Sequence, residues 1–202
     1  MREAEGHTTN YLPAALLFDM DGTLTEPVLD FPLIKQEMGI GSRPILEALA
    51  ELDGPARSAA EEVLHRHEER AARESSLNHG CATLLDWVRH ARLKTALITR
   101  NSRRSVAAVL ERHRLAFDVL ITREDGRFKP DPQPLRLACD RLGVRSDDAW
   151  MIGDASYDCM AGLAAGVRTV WISHGNARDF DAAPWKTVRD LPELLEFLRS
   201  AQ

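Results

Sequence analysis

Cysteine is scarce in this chain. Cys81, Cys139 and Cys159 are widely spaced and form no Cys-x-x-Cys pair, so neither a disulfide framework nor a zinc site is indicated. Long apolar runs are missing too. The longest, Ala14 to Phe18, falls far short of the roughly 20 apolar residues that cross a bilayer, which rules out a membrane-spanning segment. Met1 to Asn10 carry Glu3 and Glu5 and no apolar stretch, so they do not read as a secretory signal, and a cytoplasmic protein is expected. Nor is there an excess of basic residues: 26 Lys and Arg stand against 31 Asp and Glu, a net charge of −5, which argues against nucleic acid as a partner.

What is present is ordinary for a globular chain of 202 residues, with 44% hydrophobic and 28% charged residues. That length suits one domain, or one domain carrying an insertion. From Ala14 onward short apolar runs alternate with amphipathic segments. Ala14 to Asp19, Lys94 to Arg100, Asp118 to Thr122, Ala149 to Asp154 and Arg168 to Ser173 read as strands buried on both faces of a parallel sheet. Ser102 to His113, Pro134 to Leu142, Ser156 to Ala165 and Asp190 to Ser200 have helical spacing. The alternation predicts an α/β doubly wound fold.

One stretch breaks the rhythm. Glu26 to His79 offers no second strand but several helical segments, including Ile45 to Leu52 and Ser58 to Glu74. In the latter, Glu62/Arg66 and Glu69/Arg73 are spaced to pair along the helix surface. The insertion is too long for an ordinary connection and is read as a small second unit over residues 26–79, with the main unit over 14–25 and 80–202 and a tail over 1–13.

The tips of the predicted strands carry the chemistry. The first ends in Asp19-Met20-Asp21-Gly22-Thr23, whose two carboxylates point to one side because strand side chains alternate. Gly22 permits a tight turn whose N–H groups can cradle an anion, although an Asp-Gly pair can equally just end a strand. The fourth strand ends in Gly153-Asp154, with Asp158 in the first turn of the next helix, where a carboxylate is also favoured by the helix dipole. Carboxylates converging from two strand tips suit a hard cation such as Mg²⁺. The second strand ends in Thr99-Arg100-Asn101-Ser102, where Thr99 or Ser102 could be a plain helix cap. Between the third and fourth strands, prolines hold an extended loop around Lys129.

Taken in order, Asp19-Met20-Asp21-Gly22-Thr23, Thr99, Lys129-Pro130 and Gly153-Asp154 with Asp158 resemble the four motifs of the haloacid dehalogenase-like hydrolase superfamily, in its phosphatase branch and close to phosphoglycolate phosphatase-like members. The resemblance runs from about Ala14 to His174 and implies a five-stranded sheet ordered 5-4-1-2-3, with residues 26–79 as a helical cap. It further implies an Mg²⁺-dependent phosphomonoesterase in which Asp19 is the nucleophile and Asp21 the general acid and base. Mg²⁺ would be held by Asp19, the Asp21 carbonyl and Asp154. Thr99 and Lys129 would hold the phosphoryl oxygens, helped by N–H groups of Gly22, Thr23 and Arg100, with Asp158 behind them orienting a water or Lys129.

Many relatives have Asn directly after the Thr or Ser of the second motif; here Arg100 intervenes before Asn101, so either side chain is a candidate for substrate contact, and Arg100 could equally pair with a carboxylate or face solvent. His65 and His67 face different ways on a helix and are assigned no metal. Trp87, Trp150, Trp171 and Trp185 are read as packing, and His174-Gly175 as a loop that could reach the mouth of the site. The competing readings are a phosphotransferase or mutase on a sugar phosphate and a non-enzymatic regulator on the same scaffold. A dehalogenase is disfavoured by Asp21, since displacement at carbon needs no such proton donor. Glu26 to Glu74 holds 11 acids and 6 bases while the rest of the chain holds 20 of each, so the whole acidic excess falls in the cap. Were its inner face as acidic as its average, a small phosphate ester would be the fitting substrate.

Overall fold

The computed structural model describes residues 11–201, and the statements that follow concern those residues. Most of the N-terminal tail, and with it the segment weighed as a secretory signal, lies outside them. Six strands form one parallel sheet: β1 (Ala15–Phe18), β2 (Lys94–Ile98), β3 (Val119–Ile121), β4 (Ala149–Gly153), β5 (Arg168–Ile172) and β6 (Lys186–Val188), in the order β3-β2-β1-β4-β5-β6. The expected five strands and their order are present, but the sheet has a sixth. β6 is a three-residue edge strand in which only Val188 is buried, so it has no apolar run to announce it.

Period-two alternation divides the core between the two faces. Leu16 and Phe18 of β1 join Trp150 and Ile152 of β4 on one face, under α4 (Cys81–His90), α5 (Arg103–His113) and α8 (Leu191–Ser200). Ala15, Leu17 and Met151 join Leu135, Ala138, Ala161 and Ala165 on the other, under α6 (Gln133–Leu142) and α7 (Ser156–Ala165). After β1 the chain goes to β2 on one side and returns with β4 on the other. The crevice at the carboxyl ends of β1 and β4 is therefore the switch point of the sheet, where folds of this type bind ligands.

The insertion consists of α1 (Phe31–Glu37), α2 (Ile45–Ala50) and α3 (Gly54–Glu74). It has its own small core of Ile34, Ile45, Leu46, Leu49, Ala60 and Leu64. Its two connections run side by side, with Glu26 N–H donating to Ser76 O and Asn78 N–H to Leu24 O, each at 2.9 Å. The last turns of α3 lie against α5, and Ala72 joins the core under the sheet. Glu69 and Arg73 lie at 4.0 Å as the spacing suggests, but Arg66 does not pair with Glu62: it reaches Glu37 of α1 at 2.6 Å. A partner on a packed neighbour prevails there over one on the same helix, and His67 lies 3.1 Å from the same Glu37 oxygen. No described helix is long and apolar enough to cross a membrane.

Candidate active site

The site grows from the turn after β1. Gly22 has φ +79, and a Cβ built on it would stand 2.2 Å from Asp154 Oδ2, so only glycine lets this turn approach the tip of β4. Asn78, on the returning connection, donates its amide to the carbonyls of Gly22, Thr23 and Thr25 at 3.1, 2.8 and 3.1 Å. His174, just past β5, donates from Nε2 to Gly22 O at 2.6 Å. These two side chains pin the outer rim of the turn.

Lys129 is the hub. It is 2% exposed, and its ammonium donates to Asp19 Oδ1 at 2.6 Å and to Asp158 Oδ1 at 2.7 Å. Burial works against its charge, but Asp158 and Asp19 together hold its pKa above the ordinary lysine value. Asp158 is fully buried, caps α7 by accepting from Ala155 N–H at 3.0 Å, and so joins a helix cap to the Lys129 contact. Gly153 makes room for it, since a Cβ there would lie 2.2 Å from Asp158 Oδ2.

Asp21 faces the same crevice, and its Oδ2 accepts from the Asn101 amide at 2.6 Å. Burial, reinforced by Asp19 and more weakly by Glu68 and Asp154, pushes its pKa up to about 7 against the pull of the Asn101 bond. Burial and Asp19 likewise raise Asp154, whose Oδ1 accepts from the Thr23 hydroxyl at 3.0 Å and whose carbonyl accepts from Trp171 Nε1 at 2.8 Å. Asp158 is raised by burial and by Asp19, with Lys129 drawing it back. One oxygen from each of Asp19, Asp154 and Asp158 lies within 4.8 Å of the others. Crowded carboxylate oxygens are the donor set a hard divalent cation takes, so these residues fit Mg²⁺.

The expected residues thus converge, with instructive differences in what each touches. Thr99 is buried at the end of β2, its hydroxyl accepting from Asn101 N–H at 3.2 Å. The N–H groups of Gly22 and Thr23, expected at the phosphate, are spent within the turn on Thr25 O at 2.8 Å and Met20 O at 3.3 Å. A phosphate cradle from this turn needs other donors. The Arg100 guanidinium turns to the cap, donating to Glu47 of α2 at 2.8 and 3.1 Å. Ser102 is the N-cap of α5, as its bland reading had it, and also donates to Glu68 Oε2 at 2.7 Å.

A cavity of about 520 Å³ opens between crevice and cap. Asp19, Asp21, Lys129 and Asp154 floor it, while Pro27, Leu29, Phe31, Ile45, Leu46 and Leu64 of the cap roof it. The cap's inner face is mainly apolar. Lys35 and Glu68 are its charged members, and Glu68 is matched by Arg123. The acidic excess of the cap is therefore carried elsewhere on its surface.

Asn78 and Glu68 take part with no role expected from their sequence context, and His174, in the loop expected to be able to reach the mouth of the site, bonds the Gly22 carbonyl. Asn78 left no signal, being a lone polar residue in a connection. Glu68 did leave one: Ala60, Leu64, Glu68 and Ala72 recur every fourth residue along α3 and all are buried, so the glutamate continues an apolar stripe. Trp171 adds to its packing role the bond to Asp154.

A domain model described as haloacid dehalogenase-like hydrolase matches residues 33–172, and the chain belongs to that family. Among its relatives, N-acetylmuramic acid 6-phosphate phosphatase of Pseudomonas aeruginosa is 32% identical over 93% of this chain and 95% of its own length. Phosphoglycolate phosphatase 1 of the same organism is 29% identical over 96% of this chain and 83% of its own. The crystal structure of a hydrolase from Pseudomonas syringae superposes with TM-score 0.78 at 22% identity, covering 92% of this chain and 98% of that one, a likeness of fold.

Proposed function

We propose that the chain is an Mg²⁺-dependent phosphomonoesterase of a small phosphorylated metabolite, with phosphoglycolate as the first candidate, working in the cytoplasm through an aspartyl-phosphate. The observation that carries this reading is the pairing of two differently held carboxylates at one crevice: Asp19 bound by Lys129 at 2.6 Å and Asp21 bound by Asn101 at 2.6 Å.

The Asp19 carboxylate, held by the Lys129 ammonium, is the nucleophile. It forms a bond to phosphorus as the bond from phosphorus to the ester oxygen breaks. Asp21, whose burial favours the protonated form, gives its proton to the departing alcohol oxygen. The Asp21 carboxylate then takes a proton from water as that water attacks phosphorus, releasing inorganic phosphate and restoring Asp19. Thr99 and Lys129, with the Arg100 N–H, would hold the phosphoryl oxygens. Asp19, Asp154 and the Asp21 carbonyl would hold Mg²⁺, which offsets the negative charge gathered in the crevice. Asp158 keeps Lys129 aimed at Asp19, the role its 2.7 Å contact supports.

A second substrate is favoured by the cavity. Its volume of about 520 Å³ leaves room for a sugar-sized alcohol, and a relative 32% identical is an N-acetylmuramic acid 6-phosphate phosphatase. The test is hydrolysis of an aryl phosphate with Mg²⁺, followed by a panel that includes phosphoglycolate and N-acetylmuramic acid 6-phosphate. Activity should vanish in chelator, return with Mg²⁺ and be abolished by Asp19→Asn. Full turnover in metal-free buffer, or an Asp19→Asn enzyme as fast as the parent, would overturn the proposal.

A further inference from the structure

We propose that Arg100 is a positioning residue that ties the cap to the Lys129 loop through Glu47, so that Lys129 is held at Asp19 by a seated cap. The inference rests on the phosphatase reading for its kinetic consequences, but its structural content stands apart from it.

A guanidinium is planar, with donors on its edges and two faces that accept aromatic rings. Arg100 makes contacts of both kinds. Nη2 donates to both carboxylate oxygens of Glu47, at 2.8 and 3.1 Å, from α2 of the cap. Nη1 donates to the Lys129 carbonyl. The guanidinium carbon stands 4.7 Å from the centre of the Phe128 ring and 4.6 Å from that of Tyr157. One side chain at the tip of β2 therefore touches the cap, the backbone of the residue whose ammonium grips Asp19, the neighbour before that residue, and the helix that carries Asp158.

The arrangement is reinforced from the other side. Phe128 packs against the apolar core of the cap, one of the partly buried residues around that cluster. The Lys129 loop is thus fastened to the cap twice, through Phe128 by apolar contact and through Arg100 by Glu47. With the Arg100 side chain 20% exposed and that of Glu47 37% exposed, the ion pair is partly shielded from water, and Nη2 reaches both carboxylate oxygens. Glu47 also cancels the charge of Arg100. The guanidinium lines the cavity with Nη1 and Nη2 both engaged by protein acceptors. Its contribution to the reaction passes through Lys129.

The experiment compares the parent enzyme with Arg100→Ala, Glu47→Gln and the double variant on an aryl phosphate, alongside amide hydrogen exchange over residues 127–131 and α2. A group that positions Lys129 affects the chemical step, so kcat is expected to fall about tenfold in Arg100→Ala, with KM within twofold of the parent. Glu47→Gln should fall in the same direction by less. The double variant should be no slower than Arg100→Ala alone, since the two residues act through one contact. Exchange should quicken in both segments together. A raised KM with unchanged kcat would make Arg100 a direct substrate ligand and overturn the proposal, as would additive losses. Unchanged exchange at residues 127–131 in Arg100→Ala would overturn it whatever the kinetics. Should the parent hydrolyse no phosphate ester at all, the phosphatase reading fails, and the exchange comparison still decides whether Arg100 couples the cap to the loop.

Discussion

Asn101 donates its side-chain amide to Asp21 Oδ2 at 2.6 Å, across the gap between the tips of β2 and β1. The bond fixes the direction of a carboxyl group whose task, in the proposed reaction, is to meet the departing alcohol oxygen. Proton donation matters most when the leaving group is a poor one. Asp21→Asn should therefore lower kcat/KM, which reports the step that expels the alcohol, by about 10²-fold or more for an alkyl phosphate and far less for an aryl phosphate with an acidic phenol. Asn101→Ala should show the same ordering with smaller losses, about tenfold for the alkyl ester, because the acid remains but is no longer aimed. The measurement is the dependence of kcat/KM on leaving-group acidity. A slope identical in the parent and in Asp21→Asn would remove Asp21 from the role of acid.

Lys129 satisfies two buried carboxylates at once, Asp19 and Asp158, and is itself 2% exposed. Removing one member of a buried ionic group leaves the others without compensation, which typically costs about 3–5 kcal/mol. Lys129→Met should lower stability by about 3 kcal/mol, at the lower end because Asp158, already raised by burial, can take up a proton. Adding Asp158→Asn should recover part of that loss without restoring activity, since Asp19 still lacks its ammonium. Urea unfolding midpoints at constant m-value provide the comparison. Equal stability of the single and double variants would show that Asp158 is not the residue left stranded.

Asp125 predicts how stability responds to acid. Burial pushes its carboxyl up, but the Thr122 N–H and hydroxyl, at 2.9 and 2.8 Å, and Arg103 at 2.7 Å prevail and hold it below the ordinary value of 3.8. A carboxylate with a depressed folded-state pKa contributes stability above its unfolded pKa and loses it as pH falls through the folded value. Asp125→Asn should accordingly cost about 1 kcal/mol at neutral pH, and the difference from the parent should shrink below pH 4 and close under the folded-state pKa. Unfolding midpoints from pH 7 downward test it, and a gap that stays constant into acid would contradict the charged contact.

The sequence was most legible where one physical signal dominated. β1 and β4 are buried on both faces, so their apolar runs stood out, and the carboxylates just past their ends, Asp19, Asp21 and Asp154, lie at the switch-point crevice. β6 was illegible because an edge strand of Lys186, Thr187 and Val188 buries one side chain. The Glu62/Arg66 spacing misled because Glu37 comes from a different helix, and helical spacing knows nothing of packed neighbours. Arg100 and Asn101 could not be separated by pattern. Whether a side chain turns to Asp21, as Asn101 does, or to the cap, as Arg100 does, depends on residues such as Glu47, 53 positions away.

Gly22 and Gly39 both have positive φ, +79 and +66, but they differ in what surrounds them, and that difference separates backbone strain from function. Either residue changed to Ala pays the left-handed conformation, about 1 kcal/mol. At Gly39, in the cap, an added Cβ meets nothing within 4 Å, so Gly39→Ala should lose only that stability and keep its activity. At Gly22 the Cβ would meet the Asp154 carboxylate at 2.2, 2.6 and 2.8 Å, and that carboxylate must swing away. The displaced group is one of the proposed Mg²⁺ ligands, and it would also lose the 3.0 Å bond from Thr23. Gly22→Ala should therefore fold, but need at least tenfold more Mg²⁺ for half-maximal activity and lose about 10²-fold in kcat. Titrating Mg²⁺ against rate for the two variants separates the effects. Equal metal requirements in Gly22→Ala and Gly39→Ala would mean that the close approach of the turn to Asp154 has no part in holding the ion.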